Sequence, residues 1–525
     1  MRRKLLLPVL ILIAFQFGYA QQKDTGSDIG SEPVLRESID KENKSDYYKP
    51  LNFRESDNLI IELNENLKIK GLQDEPSSVI FKKNNVKKYY LSAIDTLKYH
   101  RYLPEYNPKG NMLIPIGEVM AINIGLSLFN NYVTNAEFAK ISFKSVSHNL
   151  DTGFVWDDDM FVTNQFGHPY HGGLYFSTAR SMGYSFWESI PFAFGGSLMW
   201  EMFMETDPPQ ANDLIQTTVG GTMMGEMTYR LSSLILDEST SGGNRLFREI
   251  TAAIISPVRA FNRLIKGDMA RKTPNNVHDV FPVIQRINLG YAGINPNEQV
   301  KFEKSHIMFE YLLTYGDPFK LGIENPFDLF RLRLGLDARK GDKPSSWAYA
   351  YGLLYAKNLI KHTDRRLIFG AFHDYDFFYN QMYRLGTQSV GLGLIYISPV
   401  QANWKTVISF HSNFIALGAI NSIYQKGEYR DYDYGIGNKT MLEASLAYGP
   451  AMLMLEYRFY YMKTVNGFPG HSNFGFFNPK LLVDIYDGFG LGLEYIFYHR
   501  SGTFENVADY SKRTSEQRLY LSYHF

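Results

Sequence analysis

Phe330-Arg331-Leu332-Arg333-Leu334-Gly335-Leu336-Asp337-Ala338-Arg339 places an apolar residue at every second position, with Arg, Gly or Asp between. Successive side chains of a β-strand point to opposite faces, so a period of two describes a strand with one greasy and one charged or small face. The dyad recurs in Ile307, Phe309, Tyr311 and Leu313, and in Trp347, Tyr349, Tyr351, Leu353 and Tyr355 against small Ala348, Ala350 and Gly352. It recurs again in Leu453, Leu455, Tyr457 and Phe459, and in Phe489, Leu491, Leu493, Tyr495 and Phe497. Turn signals such as Asn295-Pro296-Asn297, Lys340 to Pro344 and Asp487-Gly488 separate the runs. Residues 283–525 therefore read as consecutive two-faced strands.

Both a soluble sandwich and a transmembrane barrel accommodate this pattern. Aromatic residues gather near strand ends, as interfacial girdles do, and a lumen suits Arg and Glu within a strand better than a sandwich does. The chain ends with Leu519, Leu521, Tyr523 and Phe525 alternating with Arg518, Tyr520, Ser522 and His524. This terminus resembles the signal read by outer-membrane barrel insertion machinery. At roughly ten residues per strand plus turns, the region makes about twelve strands. The greasy positions should meet lipid, while Arg331, Arg333, Arg339, Glu456, Arg458 and Glu494 should face the lumen, partly plugging it.

The 525 residues carry 54 basic and 54 acidic side chains, so no net field draws the chain to nucleic acid. The absence of cysteine excludes a disulfide scaffold, thiol catalysis, a cysteine zinc site and a lipidated N-terminal cysteine. Basic Met1-Arg2-Arg3-Lys4, an apolar stretch from Leu5 to Phe17, and small Gly18 and Ala20 have the layout of a cleavable signal peptide over residues 1–20. Residues 21–110 form a polar, mostly disordered leader by composition.

Between residues 111 and 267 the pattern changes to apolar blocks with embedded charges. It predicts helices over Met112 to Val133, Gly173 to Gly183, Phe186 to Thr206, Pro208 to Asp237 and Asn244 to Lys266, with Asp207 as the cap before Pro208 and Pro209. Glu188, Glu201, Glu205, Asp213, Glu226 and Arg230 keep these helices from reading as clean membrane spans. Gly195, Gly196, Gly220, Gly221 and Gly225 predict close helix packing. The expected fold is thus an α+β membrane protein: a periplasmic helical domain over residues 111–267, docked at the barrel mouth, followed by a transmembrane antiparallel β-barrel of about twelve strands over residues 283–525.

The middle region is dense in motifs: Trp156-Asp157-Asp158-Asp159, Asn164-Gln165-Phe166-Gly167-His168-Pro169-Tyr170-His171-Gly172-Gly173, Ala179-Arg180, Phe186-Trp187-Glu188-Ser189, Trp200-Glu201, Asn212-Asp213 and Gly220-Gly221 with Gly225-Glu226. Residues 111–261 resemble the domain-of-unknown-function family 3943. The resemblance implies an exported envelope protein and a single helical unit, and says next to nothing about activity.

His168 and His171 lie three apart, and Glu201 and Glu205 one helical turn apart. Two imidazoles and two carboxylates are groups able to hold a divalent ion or to act as base and orienting acid. Their structural reading, loop bracing by the histidines and pairing of Glu201, Glu205, Glu226 and Arg230 between helices, is the preferred one. Asn164, Arg180, Asn212, Asp213 and Glu226 are candidate binding residues with the same bias, and Trp156 to Asp159 reads as a solvated acidic turn. Barrel lipases place histidine and serine two apart on the lipid side of one strand, whereas His411-Ser412 and His471-Ser472 are adjacent and therefore face oppositely. Ser409 and His411 fall on the expected lumen face. No cofactor is expected, and the expected partners are outer-membrane lipid, the insertion machinery and a periplasmic protein. The favoured function is a non-enzymatic barrel that binds or passes an envelope lipid, glycan or small solute. The alternative is an envelope hydrolase using the His/Glu groups.

Overall fold

The computed structural model describes residues 109–525 apart from 275, 279–282, 296–304, 317–324, 339–344, 362–364, 380–382, 399–403 and 425–429. The expected signal peptide and the leader up to residue 108 lie outside the described residues, as does Arg339.

Twelve antiparallel strands close on themselves in chain order: β1 (Val283–Asn295), β2 (Ser305–Tyr315), β3 (Phe330–Ala338), β4 (Ser345–Lys361), β5 (Arg366–Tyr379), β6 (Arg384–Ile397), β7 (Trp404–Asn421), β8 (Tyr432–Tyr448), β9 (Ala451–Asn466), β10 (Gly470–Tyr486), β11 (Phe489–Phe504) and β12 (Tyr510–His524). Closure leaves no unpaired edge, as a strand structure in hydrocarbon requires. The seam lies between β1 and β12, where Leu289 pairs with Leu521. Beyond it the backbones of Gln285 and Phe525 exchange hydrogen bonds of 3.3 and 3.1 Å. The predicted Asp487-Gly488 turn joins β10 to β11, both residues having positive φ (40° and 82°), as a two-residue hairpin turn demands.

The charged face of the opening stretch points inward. Arg333 contacts Glu310 at 2.5 Å on neighbouring β2, then Glu456 at 2.9 Å on β9 and Glu494 at 3.3 Å on β11, across the ring. Arg458 joins Glu456 at 2.8 Å to Asp376 at 2.7 Å, Lys439 bonds Asp374 at 2.9 Å, and Lys480 bonds Glu456 at 2.7 Å. These groups are buried, so the lumen is filled by paired charges from its own strands. Charges taken from water persist when each is paired and hydrogen-bonded.

One strand departs from the expected facing. On β4 the aromatic positions Trp347 and Tyr349 lie inside: Trp347 Nε1 donates to Glu310 at 3.1 Å, and the Arg458 guanidinium sits 4.5 Å from the Tyr349 ring centroid. Small Ala348 and Ala350 take the outward positions, buried beside Tyr375 and Phe377 of β5. Their small side chains lie in the apolar cluster that includes Phe161, Phe176 and Met223 of the helical domain.

That domain comprises α1 (Leu113–Tyr132), α2 (Phe143–Thr152), α3 (His168–Ser181), α4 (Phe186–Phe203), α5 (Ala211–Ile215), α6 (Gly221–Ile235), α7 (Gly242–Ile255) and α8 (Pro257–Ile265). The expected last helix is two, interrupted at Ser256, whose extended ψ of 80° precedes Pro257. The expected Asp207 cap is absent: α5 starts at Ala211, and the Pro209 carbonyl accepts from Val155 N at 2.8 Å, holding that segment extended. Helix α2 escaped the sequence reading, though Ser142 and Ser145 cap it reciprocally. Gly172 and Gly221 bring α3 against α6 backbone to backbone, and a Cβ on either would overlap the other helix.

The helices do not close the barrel mouth. They pack on its outer wall over β2 to β8, in one apolar cluster uniting Phe161, Phe176, Met223 and Met227 with Tyr311, Leu332, Phe377, Leu417 and Tyr434. Contacts run from one end of the wall to the other. At the end carrying the barrel termini, Arg230 Nη1 meets Asp328 at 3.0 Å and Phe186 packs on Phe327. At the opposite end, the Phe161 ring meets Phe377 and Tyr432 at centroid distances of 5.7 and 5.5 Å.

Candidate functional site

Two π-turns frame the most polar part of the helical domain. Thr163–Gly167 leads into α3 and Gln216–Gly220 leads from α5 into α6. Such widened turns rotate side chains out of the normal helical register and are frequent at functional sites. The Gly172–Gly221 crossing draws them together, so Gln216 Nε2 donates to Gln165 Oε1 at 3.2 Å.

Beside them Asn212 donates to Asn164 Oδ1 at 3.2 Å and to Asp213 Oδ1 at 2.6 Å, and accepts from Asp157 N at 2.9 Å. Asn164 in turn donates to Asp157 and to Tyr432 Oη at 2.7 Å, tying the network to β8. Asp157 is therefore buried, which corrects the solvated acidic turn expected for this stretch, although Asp158 is exposed. His168 lies between two groups: its Nδ1 is 3.3 Å from Thr217 Oγ1 and its Nε2 is 3.4 Å from Asp213 Oδ1.

The His171 ring packs tilted at 4.5 Å from the Tyr175 ring and edge-on at 5.4 Å from Trp200. Trp200 Nε1 donates to Glu205 Oε2 at 3.2 Å, and Glu201 Oε2 accepts from Gln210 N at 2.8 Å. His168 and His171 thus stand in the first turn of α3 rather than on a loop, because Pro169 is well placed at a helix start.

Burial sets the electrostatics. It lowers His168 to about 4, against the opposing pull of Asp157, and lowers His171 to about 3, with the His168 charge adding to the effect. It raises Glu205 and Asp213 well above the carboxylate range, and Glu201 is the next largest cause for both. At neutral pH the two imidazoles are neutral.

Arg180 and Glu226 lie elsewhere. Arg180 Nε and Arg230 Nε each reach Glu226 at 2.7 Å, and Arg230 continues to Asp328, a buried ladder joining α3, α6 and the segment before β3. The structure thus gathers His168, His171, Glu201, Glu205, Asn164, Asn212 and Asp213, and leaves Arg180 and Glu226 outside. Gln165, Gln216 and Thr217 were missed by the sequence reading, since no local pattern marks a π-turn. Among the described residues no group of three His, Asp or Glu is arranged to hold a metal ion.

Residues 153–258 match the model of DUF3943, a domain of unknown function. The DUF3943 segment contains every residue of the cluster supplied by the helical domain, from Asp157 to Thr217, and ends before the barrel. No curated protein matches the chain. Similar solved structures include the outer membrane channel DcaP of Acinetobacter baumannii (8% identity, 47% of this chain and 96% of that one, TM-score 0.19). They also include a porin (8%, 46% and 99%, TM-score 0.19) and the CymD monoaromatic hydrocarbon channel (8%, 47% and 88%, TM-score 0.20). At these scores the likenesses carry no weight here, and the outer-membrane type of the barrel rests on its own closure, facing and even strand number.

Proposed function

We propose that this chain is a bacterial outer-membrane protein that binds an envelope lipid beside its barrel, rather than passing a solute through it. The filled lumen carries this reading: Arg333 holds Glu310, Glu456 and Glu494 together across the ring, where a conduit needs an open path. The polar cluster of the DUF3943 segment instead sits on the outside of the wall, linked to it through Asn164 and Tyr432. A molecule approaching such a cluster from the side is a membrane lipid. The barrel then serves as the platform for the helical domain, with room for a periplasmic partner at the end where β1 begins and β12 ends.

Mass spectrometry of the protein extracted in mild detergent tests this. A lipid retained by the wild type and lost from a folded Asn164→Ala variant supports it. A steady open conductance in planar bilayers overturns it. The neutral His168 imidazole, 3.3 Å from Thr217 Oγ1 and near the Asp213 carboxyl, favours a second reading, an envelope hydrolase acting on that lipid, and release of fatty acid abolished by His168→Ala would put it first.

A further inference from the structure

The helices of this domain are built inside out. On α1 the polar residues Glu118, Asn123 and Ser127 are buried, while Leu113, Ile116, Ile124 and Leu128 are exposed. The contrast is large, with Glu118 8% and Leu128 51% exposed. On α7, Arg245, Arg248 and Glu249 face inward and Leu246, Phe247 and Ile250 face outward. On α8, Arg259, Asn262 and Arg263 are inside, with Phe261, Leu264 and Ile265 outside.

Several of the buried charges pair within the domain. Glu249 holds Arg245 at 2.8 Å and Arg263 at 2.9 Å, and Arg263 also meets Glu238 at 2.9 Å. Asn262 donates to Glu118 at 3.0 Å, joining α8 to α1. A water-soluble domain turns such groups outward. Charges turned to the bundle interior with hydrocarbon outside is the arrangement of helices in lipid.

The position of the domain agrees. Its contacts cover the barrel wall from the Asp328 end to the Tyr432 end, a wall that otherwise faces the bilayer core. Both its own apolar surface and the wall of β9 to β12, where Leu455, Leu493 and Leu519 are exposed, turn apolar side chains outward. Helix α1 has 20 residues and, among the described residues, is long and apolar enough to cross a membrane, which revises the expectation that no helix here is a clean span. At 1.5 Å per residue it reaches about 30 Å, the thickness of a bilayer core.

We propose that α1, α7 and α8 lie in the outer membrane beside the barrel, their outward faces in contact with lipid acyl chains. The protein then presents to the bilayer a mixed surface, strands on one side and helices on the other, and the polar cluster lies between the two. The proposal stands whether or not that cluster binds a lipid, because it concerns the opposite side of the helices.

The chain has no cysteine, so single cysteines report cleanly. Nitroxide-labelled Leu128→Cys and Phe247→Cys, with Leu493→Cys as a barrel lipid-face reference and Glu505→Cys as an aqueous reference, would be folded into phosphatidylethanolamine–phosphatidylglycerol vesicles. Heat-shifted gel mobility selects folded samples, and Leu264→Cys replaces either helix variant that fails this check. Collision rates are then read with oxygen, which concentrates in hydrocarbon, and with a water-soluble nickel chelate. Oxygen rates exceeding chelate rates several-fold at both helix positions, as at 493, are expected. The reverse pattern at either position, as at 505, overturns the proposal. Low rates with both reagents, the mark of a protein covering the face, overturn it as well.

Discussion

Arg333 and Glu456 meet at 2.9 Å although β3 and β9 stand on opposite sides of the twelve-strand ring. The pair spans the lumen with one side chain from each wall, and Glu310 and Glu494 share the same guanidinium. Replacing Arg333 by Met leaves three buried carboxylates short of a partner. Removing one member of such a pair costs about 3–5 kcal/mol. The urea midpoint of the folded protein in detergent should fall accordingly, and an unchanged midpoint would show the network to be dispensable.

Phe525 helps to close the seam between β1 and β12. Its backbone exchanges two hydrogen bonds with Gln285, and its ring stacks on Tyr523 at 5.7 Å. Deleting Phe525 should reduce the heat-shifted, folded form in outer-membrane fractions while leaving total synthesis unchanged. Equal amounts of folded protein with and without the residue would count against its role in insertion and closure.

The α3–α6 crossing tolerates no side chain at its centre. Gly172→Val drives a Cβ into the Thr217 backbone and should expose the helical domain to protease in otherwise folded barrels. Gly195, with nothing near its missing Cβ, is the control. Gly195→Ala should be neutral or stabilise by about 0.5–1 kcal/mol, as helix propensity alone dictates. Equal protease resistance in all three proteins would refute the close approach.

Within the polar cluster the roles should separate. Glu201→Ala leaves the Gln210 N–H without its acceptor and should cost about 1–3 kcal/mol, seen as less folded protein. His168→Ala, at the edge of the network, should fold and lose the bound lipid. A His168→Ala variant that unfolds while Glu201→Ala remains intact would reverse the assignment.

Much of this architecture is local and therefore legible in the chain. The period of two over residues 283–525 follows from backbone geometry alone, and it sufficed for the strand number, the charged lumen face and the Asp487-Gly488 turn. The candidate residues were legible too, as polar groups embedded in apolar helices. Their grouping was not, since Asp157, Asn164, His168 and Asn212 meet only when two π-turns are drawn together by the Gly172–Gly221 contact.

What tertiary structure alone decided is which surfaces meet what. Leu332 on β3 and Leu493 on β11 occupy identical alternating patterns, yet Leu332 is 6% and Leu493 54% exposed, because helices cover one wall and not the other. In the same way Arg230, expected to pair between helices, also reaches Asp328, far along the chain, at 3.0 Å. Hydropathy fixes that a helix has two faces, and only the placement of distant partners selects the face turned inward. Where charged partners lie inside, ion pairing holds the polar face there and leaves the apolar face outward, the reverse of a soluble helix.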